Sequence, residues 1–182
     1  MQMEDDLTLI ETYLSGDEGA IEELVMKYQK QIYSFIYRMV DDVEDAKDLT
    51  QKTFVNAING IRDFRRESSF KTWLYRIAMN TSIKHIQKHR PEEIEIDESI
   101  ESNQPKTLSI MIEMEERGYI KKSLNDLPER QRLSLALRVY ERLSCKETAK
   151  VMGCSESAVR THFHLGIKKL REILRGAYEI KT

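Results

Sequence analysis

Apolar residues recur at intervals of three and four along most of the chain, the spacing that turns one face of an α-helix toward a core. The pattern predicts a short helix over residues 7–14, ended near Gly16, and a longer one over 18–40. The longer helix carries the stripe Ile21, Leu24, Val25, Tyr28, Ile32, Phe35, Ile36 and Met39. A third helix over 43–58 starts from Asp42 as N-cap and closes at Gly60, with Val43, Ala46, Phe54, Ala57 and Ile61 inward. A fourth over 70–89 turns Phe70, Trp73, Leu74, Ile77 and Ile86 inward and ends before Pro91. Helices over 108–124 and 128–140 follow, Pro128 suiting a first helical turn. Seven glycines and three prolines, with long runs free of both, agree with an all-α fold.

The last third of the chain carries the clearest local signal. Ser144 and Glu147 form a capping box, in which the hydroxyl accepts from the Glu147 amide and the carboxylate accepts from the Ser144 amide. A helix from Cys145 to Met152 should result, stopped by Gly153 in the left-handed region, with Ser155 as the next N-cap. Two capped helices joined by so short a turn make a helix-turn-helix. In the second helix, Val159, Phe163, Ile167, Leu170 and Leu174 form an inward stripe. Ser157, Arg160, Thr161, His164, Lys168 and Arg171 take the opposite side. Hydrogen-bonding groups ahead of cations suit a helix whose first turns meet base edges and whose remainder meets phosphate. A solvated face on an ordinary helical bundle would show the same pattern.

Charge changes the picture by dividing the chain. The net charge of −2 conceals blocks of −8 (residues 1–63), +6 (64–90), −7 (91–118) and +7 (119–182). Two basic blocks offer a polyanion two separate surfaces, and the opposite charges also allow the two halves to pack together. Residues 91–105 are acidic, bounded by prolines and free of glycine, and read as an extended linker. An edge strand of alternating Glu and Ile would have no partner strand elsewhere. The domains are therefore expected at 1–90 and 108–182, joined by a flexible acidic linker at 91–107. Two cysteines, Cys145 and Cys154, fit a reducing compartment, and their spacing to His162 and His164 matches no standard zinc pattern. No apolar run approaches the roughly 20 residues of a membrane span, and Glu4-Asp5-Asp6 is unlike the start of a signal peptide. The cytoplasm is the expected location.

Two stretches of the first domain carry candidate chemistry. The third helix leaves Asp45, Asp48, Gln51, Lys52 and Val55 on or near its outward face. Acids in first turns are favoured by the helix dipole, and a carboxylate row ending in an amide and a valine also fits an Arg-rich partner helix. The loop from Ile61 to Ser69 is polar, with one aromatic and adjacent arginines. It opens onto a helix bearing Lys71, Arg76, Asn80, Lys84 and Lys88, with Tyr75 among them. Flat rings, amides and cations together can hold unstacked bases and their backbone, although Phe70 and Trp73 equally fit a core. The chain shows no metal cluster, no nucleophile with a partnered base and no phosphate-cradling glycine loop, so an enzyme is not expected.

These stretches, in order, carry a family resemblance. Asp45-Ala46-Lys47-Asp48-Leu49-Thr50-Gln51-Lys52-Thr53-Phe54, then Phe70-Lys71-Thr72-Trp73-Leu74-Tyr75-Arg76-Ile77-Ala78-Met79-Asn80, then Leu127-Pro128-Glu129-Arg130-Gln131-Arg132, then the helix-turn-helix, resemble the extracytoplasmic-function (group 4) sigma factors of bacteria. The resemblance runs from about residue 7 to 174. It implies a first domain that binds the clamp of RNA polymerase core through Asp45, Asp48, Gln51, Lys52 and Val55. It implies a promoter −10 surface of Phe64, Arg65, Arg66, Ser68, Trp73, Arg76, Asn80 and Lys84. The second domain would contact the polymerase flap and read the −35 element through Arg160, Thr161 and His164, with Ser157 and Lys168 nearer the backbone. The pattern departs from the family at Leu165-Gly166-Ile167, where members usually carry basic residues after the position of His164. The resemblance also implies an anti-sigma factor as partner, no cofactor and no membrane insertion. The linker would thread polymerase near its active centre, either mimicking nascent RNA or serving as a solvated tether. A competing function is a two-domain regulator that binds duplex DNA without polymerase.

Overall fold

A computed structural model describes residues 5–89, 123–124 and 126–179. Among these residues it is built from seven α-helices: α1 (Asp6–Leu14), α2 (Gly19–Val40), α3 (Val43–Asn59), α4 (Phe70–Lys88), α5 (Glu129–Leu135), α6 (Cys145–Met152) and α7 (Glu156–Glu179). A 3₁₀ turn, Ile61–Asp63, follows α3, and one π-helical turn, Ala136–Tyr140, continues α5. The expected linker, and the expected helix over 108–124 apart from its last two residues, lie outside the described residues. None of the described helices is long and apolar enough to cross a membrane.

The first four helices bury the stripes that periodicity picks out. Ile32, Phe35, Ile36, Ala46, Leu74, Tyr75 and Ala78 are all inaccessible to solvent, so α2, α3 and α4 share one core. Phe35 meets Tyr75 edge-on with ring centroids 5.2 Å apart. Polar groups inside this core satisfy themselves: Thr53 donates to the Leu49 carbonyl at 2.7 Å, and Ser82 to the Ala78 carbonyl at 2.9 Å. Asp6 fastens α1 to α2 by accepting from Lys27 Nζ at 2.7 Å and from the Tyr28 hydroxyl at 2.6 Å. Burial, and then the bond to Asp6, push the Tyr28 phenol above its ordinary range, so it remains a donor.

Several local expectations are corrected. Val43 is 45% exposed at the first residue of α3, beyond the core, and the inward line runs through Ala46, Leu49, Thr53, Phe54 and Ala57. Gly60 does end α3, but at φ −95°, outside the left-handed region. Space there is limited: an added Cβ would lie 3.3 Å from the Asn56 carbonyl oxygen, a tight approach, and 3.6 Å from the Trp73 ring, an ordinary contact. Left-handed backbone instead falls on Gly153 (φ 60°), as expected, and on Asp41, Arg66 and Arg142. Tyr75, expected among the polar positions of its helix, is buried. The helix over 128–140 is α-helical only to Leu135 before it widens into the π turn.

In the second domain Leu133, Leu137, Leu143, Val151, Met152 and Val159 form the core joining α5, α6 and α7. Cys145 and Cys154 are free thiols, half-buried against it. The Ser144 capping box is present with both bonds, 3.2 Å from the Glu147 amide and 2.8 Å from the Ser144 amide to the carboxylate. Those bonds hold the Glu147 carboxyl below its usual range. Ser144→Ala is expected to cost about 1 kcal/mol, read as a lowered thermal midpoint. The share owed to Glu147 is present at neutral pH and fades as acid titrates that carboxylate through its depressed range.

Candidate nucleic-acid interface

The loop before α4 is shaped by aromatic packing. Phe64 is buried, its ring 6.0 Å from Phe70 and 5.2 Å from Trp73, and Trp73 lies 5.7 Å from Phe70. Phe64 thus sits beneath the loop as part of the core, while Trp73 remains half-exposed at its edge. Ser69 caps α4 by accepting from the Thr72 amide at 3.1 Å. Above these rings opens a cleft of about 250 Å³ lined by Phe64, Arg65, Ser68, Trp73 and Arg76, with Asp63, Glu67 and Thr72. Arg66, in left-handed backbone, turns instead to Glu11 at 2.8 Å.

Asn80 and Lys84 open elsewhere. Both line a second groove of about 360 Å³ between α3 and α4, together with Lys52, Asn56, Lys88, His85 and His89. The −10 set of the sequence reading therefore divides into a cleft of rings and guanidinium groups and a groove of amides and amines. One continuous strand could follow both, since Arg76 and Asn80 are one helical turn apart on α4.

The outward face of α3 is exposed at Asp48, Gln51, Lys52 and Val55, the last at 55%. Part of its charge is matched internally. Asp48 pairs with Lys52 at 2.5 Å, and Asp45 is only half-exposed, with an oxygen 2.9 Å from His85 Nε2. His85 in turn stacks on His89, ring centroids 4.2 Å apart.

On α7, Ser155 caps the helix by accepting from the Ala158 amide at 3.1 Å. Ser157, Arg160, Thr161, His164 and Lys168 are all exposed, as expected of a reading face. Arg160 has only a loose neighbour, Glu156 at 3.9 Å. The triplet Leu165-Gly166-Ile167 separates into three environments: Leu165 is 42% exposed, Gly166 is buried and Ile167 is half-buried. A Cβ on Gly166 would lie 3.0 Å from Leu135 Cδ1 and 3.4 Å from Gln131 Cβ. Glycine thus suits the close crossing of α7 over α5, and of the three positions only Leu165 is exposed beside His164.

Lys150 was missed by sequence reasoning. It belongs to α6 of the second domain, yet it lines the cleft beside Trp73 and Arg76 and donates to the Glu67 carbonyl. Its helical position marks it only as a solvated lysine, so nothing in the sequence signals this contact.

Comparison with known proteins agrees with this layout. The family model for Sigma-70 region 2 matches residues 24–92, covering most of α2, all of α3 and α4 and the lining of both clefts apart from Lys150. That for Sigma-70, region 4 matches residues 117–170, covering the helix-turn-helix. The RNA polymerase sigma-H factor of Pseudomonas aeruginosa is 35% identical over 97% of this chain and 100% of its own length. The chain belongs to the sigma-70 family. Another sigma-70 relative, the ECF RNA polymerase sigma-E factor of Escherichia coli K12, is 34% identical over 86% of this chain and 87% of its own. Two solved structures share the fold at lower identity. CnrH, in complex with the cytosolic domain of CnrY, superposes with a TM-score of 0.73 at 23% identity, covering 94% of this chain and 97% of CnrH. RpoE of Bartonella quintana, in complex with the anti-sigma factor NepR, gives 0.66 at 21% identity, covering 85% and 96%. In this sigma-70 chain, α3, the loop 64–69 and α4 correspond to region 2, and α5 to α7 lie within or extend beyond region 4.

Proposed function

We propose that this sigma-70 factor is of the extracytoplasmic-function group and steers RNA polymerase core to promoters by giving it two DNA-reading surfaces. Residues 1–90 form the unit for core docking and the −10 element, 91–107 the tether, and 108–182 the unit for the −35 element and the flap. The protein acts in the cytoplasm by binding, without covalent chemistry of its own. The observation that carries the reading is that ring-and-cation clefts and a polar helix face occur on separate domains. Family membership favours it over a regulator that needs no polymerase.

Docking uses the outward face of α3, where Asp48, Gln51, Lys52 and Val55 are exposed to a basic partner helix, which would compete with Lys52 for the Asp48 carboxylate. An unstacked −10 base is held by Trp73 and the guanidinium groups of the first cleft. Its strand continues past Asn80 and Lys84. Unstacking costs a few kcal/mol per step, offset by the cleft and by phosphate contacts. Arg160, Thr161 and His164 read the major groove of the −35 element, while Ser157 and Lys168 meet its backbone. An anti-sigma factor is the expected antagonist, a reading supported by RpoE of Bartonella quintana, which was solved with such a partner.

Run-off transcription with purified core polymerase on a genomic library tests the whole and supplies the promoter sequence. Arg160→Ala is expected to cost about 1 to 2 kcal/mol of −35 discrimination, read by footprinting. Asn80→Ala should weaken −10 recognition alone. Asp48→Ala should lower core affinity severalfold in a binding titration, mainly through the association rate. Unchanged promoter selectivity in the first two variants would defeat the DNA assignments.

A further inference from the structure

Arg66 stands in sequence between two residues that line the first cleft, Arg65 and Glu67, yet its own side chain is not part of that lining. Its backbone takes φ 58°, a left-handed value that an arginine keeps only where its surroundings hold it there. The guanidinium turns to α1, where Nη2 lies 2.8 Å from Glu11 Oε1, 55 residues earlier in the chain.

α1 is a fixed post for this contact. Leu9 and Ile10, directly before Glu11, are buried, and Asp6 at the start of the helix is held by Lys27 and Tyr28 of α2. The Tyr28 ring lies 5.8 Å from that of Phe70, and Phe70 packs on Phe64 and Trp73. The helix that carries Glu11 is thus tied to the floor of the cleft as well as to its loop. It precedes residues 24–92, so the contact reaches the cleft from outside the part that matches region 2.

The two side chains are 52% and 60% exposed, and such a pair adds little to stability. What it decides is which anion Arg66 meets. Beside a cleft that takes a single strand, an unpaired guanidinium would bind phosphate of any sequence, adding affinity that carries no information about bases.

We propose that Glu11 is a specificity-determining positioning residue for promoter reading: by pairing with Arg66 it keeps a sequence-blind cation off the −10 strand and fixes the loop that presents Arg65 and Ser68. The role in DNA selection rests on the promoter reading of the cleft given above; the pairing does not. Release of an exposed pair of this kind shifts the competition for Arg66 roughly two- to fivefold.

The test uses RNA polymerase holoenzyme assembled with the full-length wild type or with Glu11→Gln, after circular dichroism of the free chains confirms equal helix content. Fluorescence anisotropy follows two labelled 12-nucleotide single strands, one with the −10 sequence recovered by run-off transcription and one with that sequence scrambled. Glu11→Gln should bind the scrambled strand roughly two- to fivefold tighter, with a salt slope steeper by about 0.7, the share of one added phosphate contact on a single strand. The preference for the −10 strand should fall. In an Arg66→Ala background the same substitution should have no effect, whereas a general loss of negative charge would still tighten binding. In the free chain, the NMR order parameter of the Arg66 Nε–H should drop in Glu11→Gln.

An unchanged order parameter overturns the pairing. A lower order parameter with unchanged binding of the scrambled strand, or a gain that persists in the Arg66→Ala background, overturns the withholding of Arg66. Trp73→Ala checks the cleft separately. If it leaves affinity for the −10 strand unchanged, the promoter reading fails and the role in selection with it, whereas an order parameter that still falls in Glu11→Gln supports the pairing.

Discussion

Phe35→Ala is expected to destabilise the first domain by about 3–5 kcal/mol, the range for removing a buried aromatic ring. Phe35 has no solvent exposure and lies in the last two turns of α2, within the core that α2 shares with α3 and α4. Its ring stands edge-on to Tyr75 at 5.2 Å, a geometry worth about 0.5–1.5 kcal/mol beyond burial. Packed on all sides by helices, the vacated space has little room to collapse, which puts the cost toward the upper end. For a domain of this size each kcal/mol moves the midpoint by about 4–8 °C. Thermal denaturation followed by circular dichroism should show the early transition moving while the transition of the second domain stays. A stability loss under 1 kcal/mol would mean that α2 does not anchor this core.

Gly166→Arg is expected to cost about 3 kcal/mol in the second domain and to bring no gain in −35 affinity. The resemblance to the family suggests the opposite, a restored cation on the reading helix. Position 166 faces α5, however, where an added Cβ alone would lie 3.0 Å from Leu135 Cδ1 and 3.4 Å from Gln131 Cβ, so the longer arginine side chain has to wedge between α7 and α5. Leu135 is itself buried and cannot swing aside cheaply. Leu165→Arg is the informative control, because that exposed position lies one helical turn from Thr161 and Lys168. It should leave stability nearly unchanged and raise salt-sensitive affinity for duplex DNA, measured by titration with increasing salt. Equal stability of the two variants would refute the close crossing.

The helices were legible because their signals are local. Stripes at spacings of three and four, the Asp42 cap, the Ser144–Glu147 capping box and Gly153 all act within a few residues, and each recurs in the structure. The misses have a common cause. Gly60 ends α3 as expected, but at φ −95° and not in the left-handed region that its residue type suggests. Val43 continues the apolar stripe of α3 yet projects past the end of the core. The π turn at Ala136–Tyr140 inserts a wider turn into a pattern that reads as unbroken α-helix. Its consequence, the burial of Glu141 against Arg38 of α2 and the Tyr75 hydroxyl of α4, depends on where those helices lie.

The candidate site divides in the same way. Exposure of Ser157, Arg160, Thr161, His164 and Lys168 follows from helical periodicity once the apolar stripe of α7 is assigned. The residues expected at the −10 element fall into two clefts, with Phe64 buried beneath one of them, and both facts depend on how the loop folds over α4. Sequence by itself determined the helical class, the caps, the two basic blocks and the helix-turn-helix, because hydrophobic spacing, backbone capping and charge are properties of neighbours along the chain. Tertiary structure alone decided that Gly166 belongs to a helix crossing, that Tyr75 is a buried donor and that Glu141 and Lys150 join the two domains. Each of these depends on atoms from segments far apart in sequence, and no one-dimensional pattern records their distance.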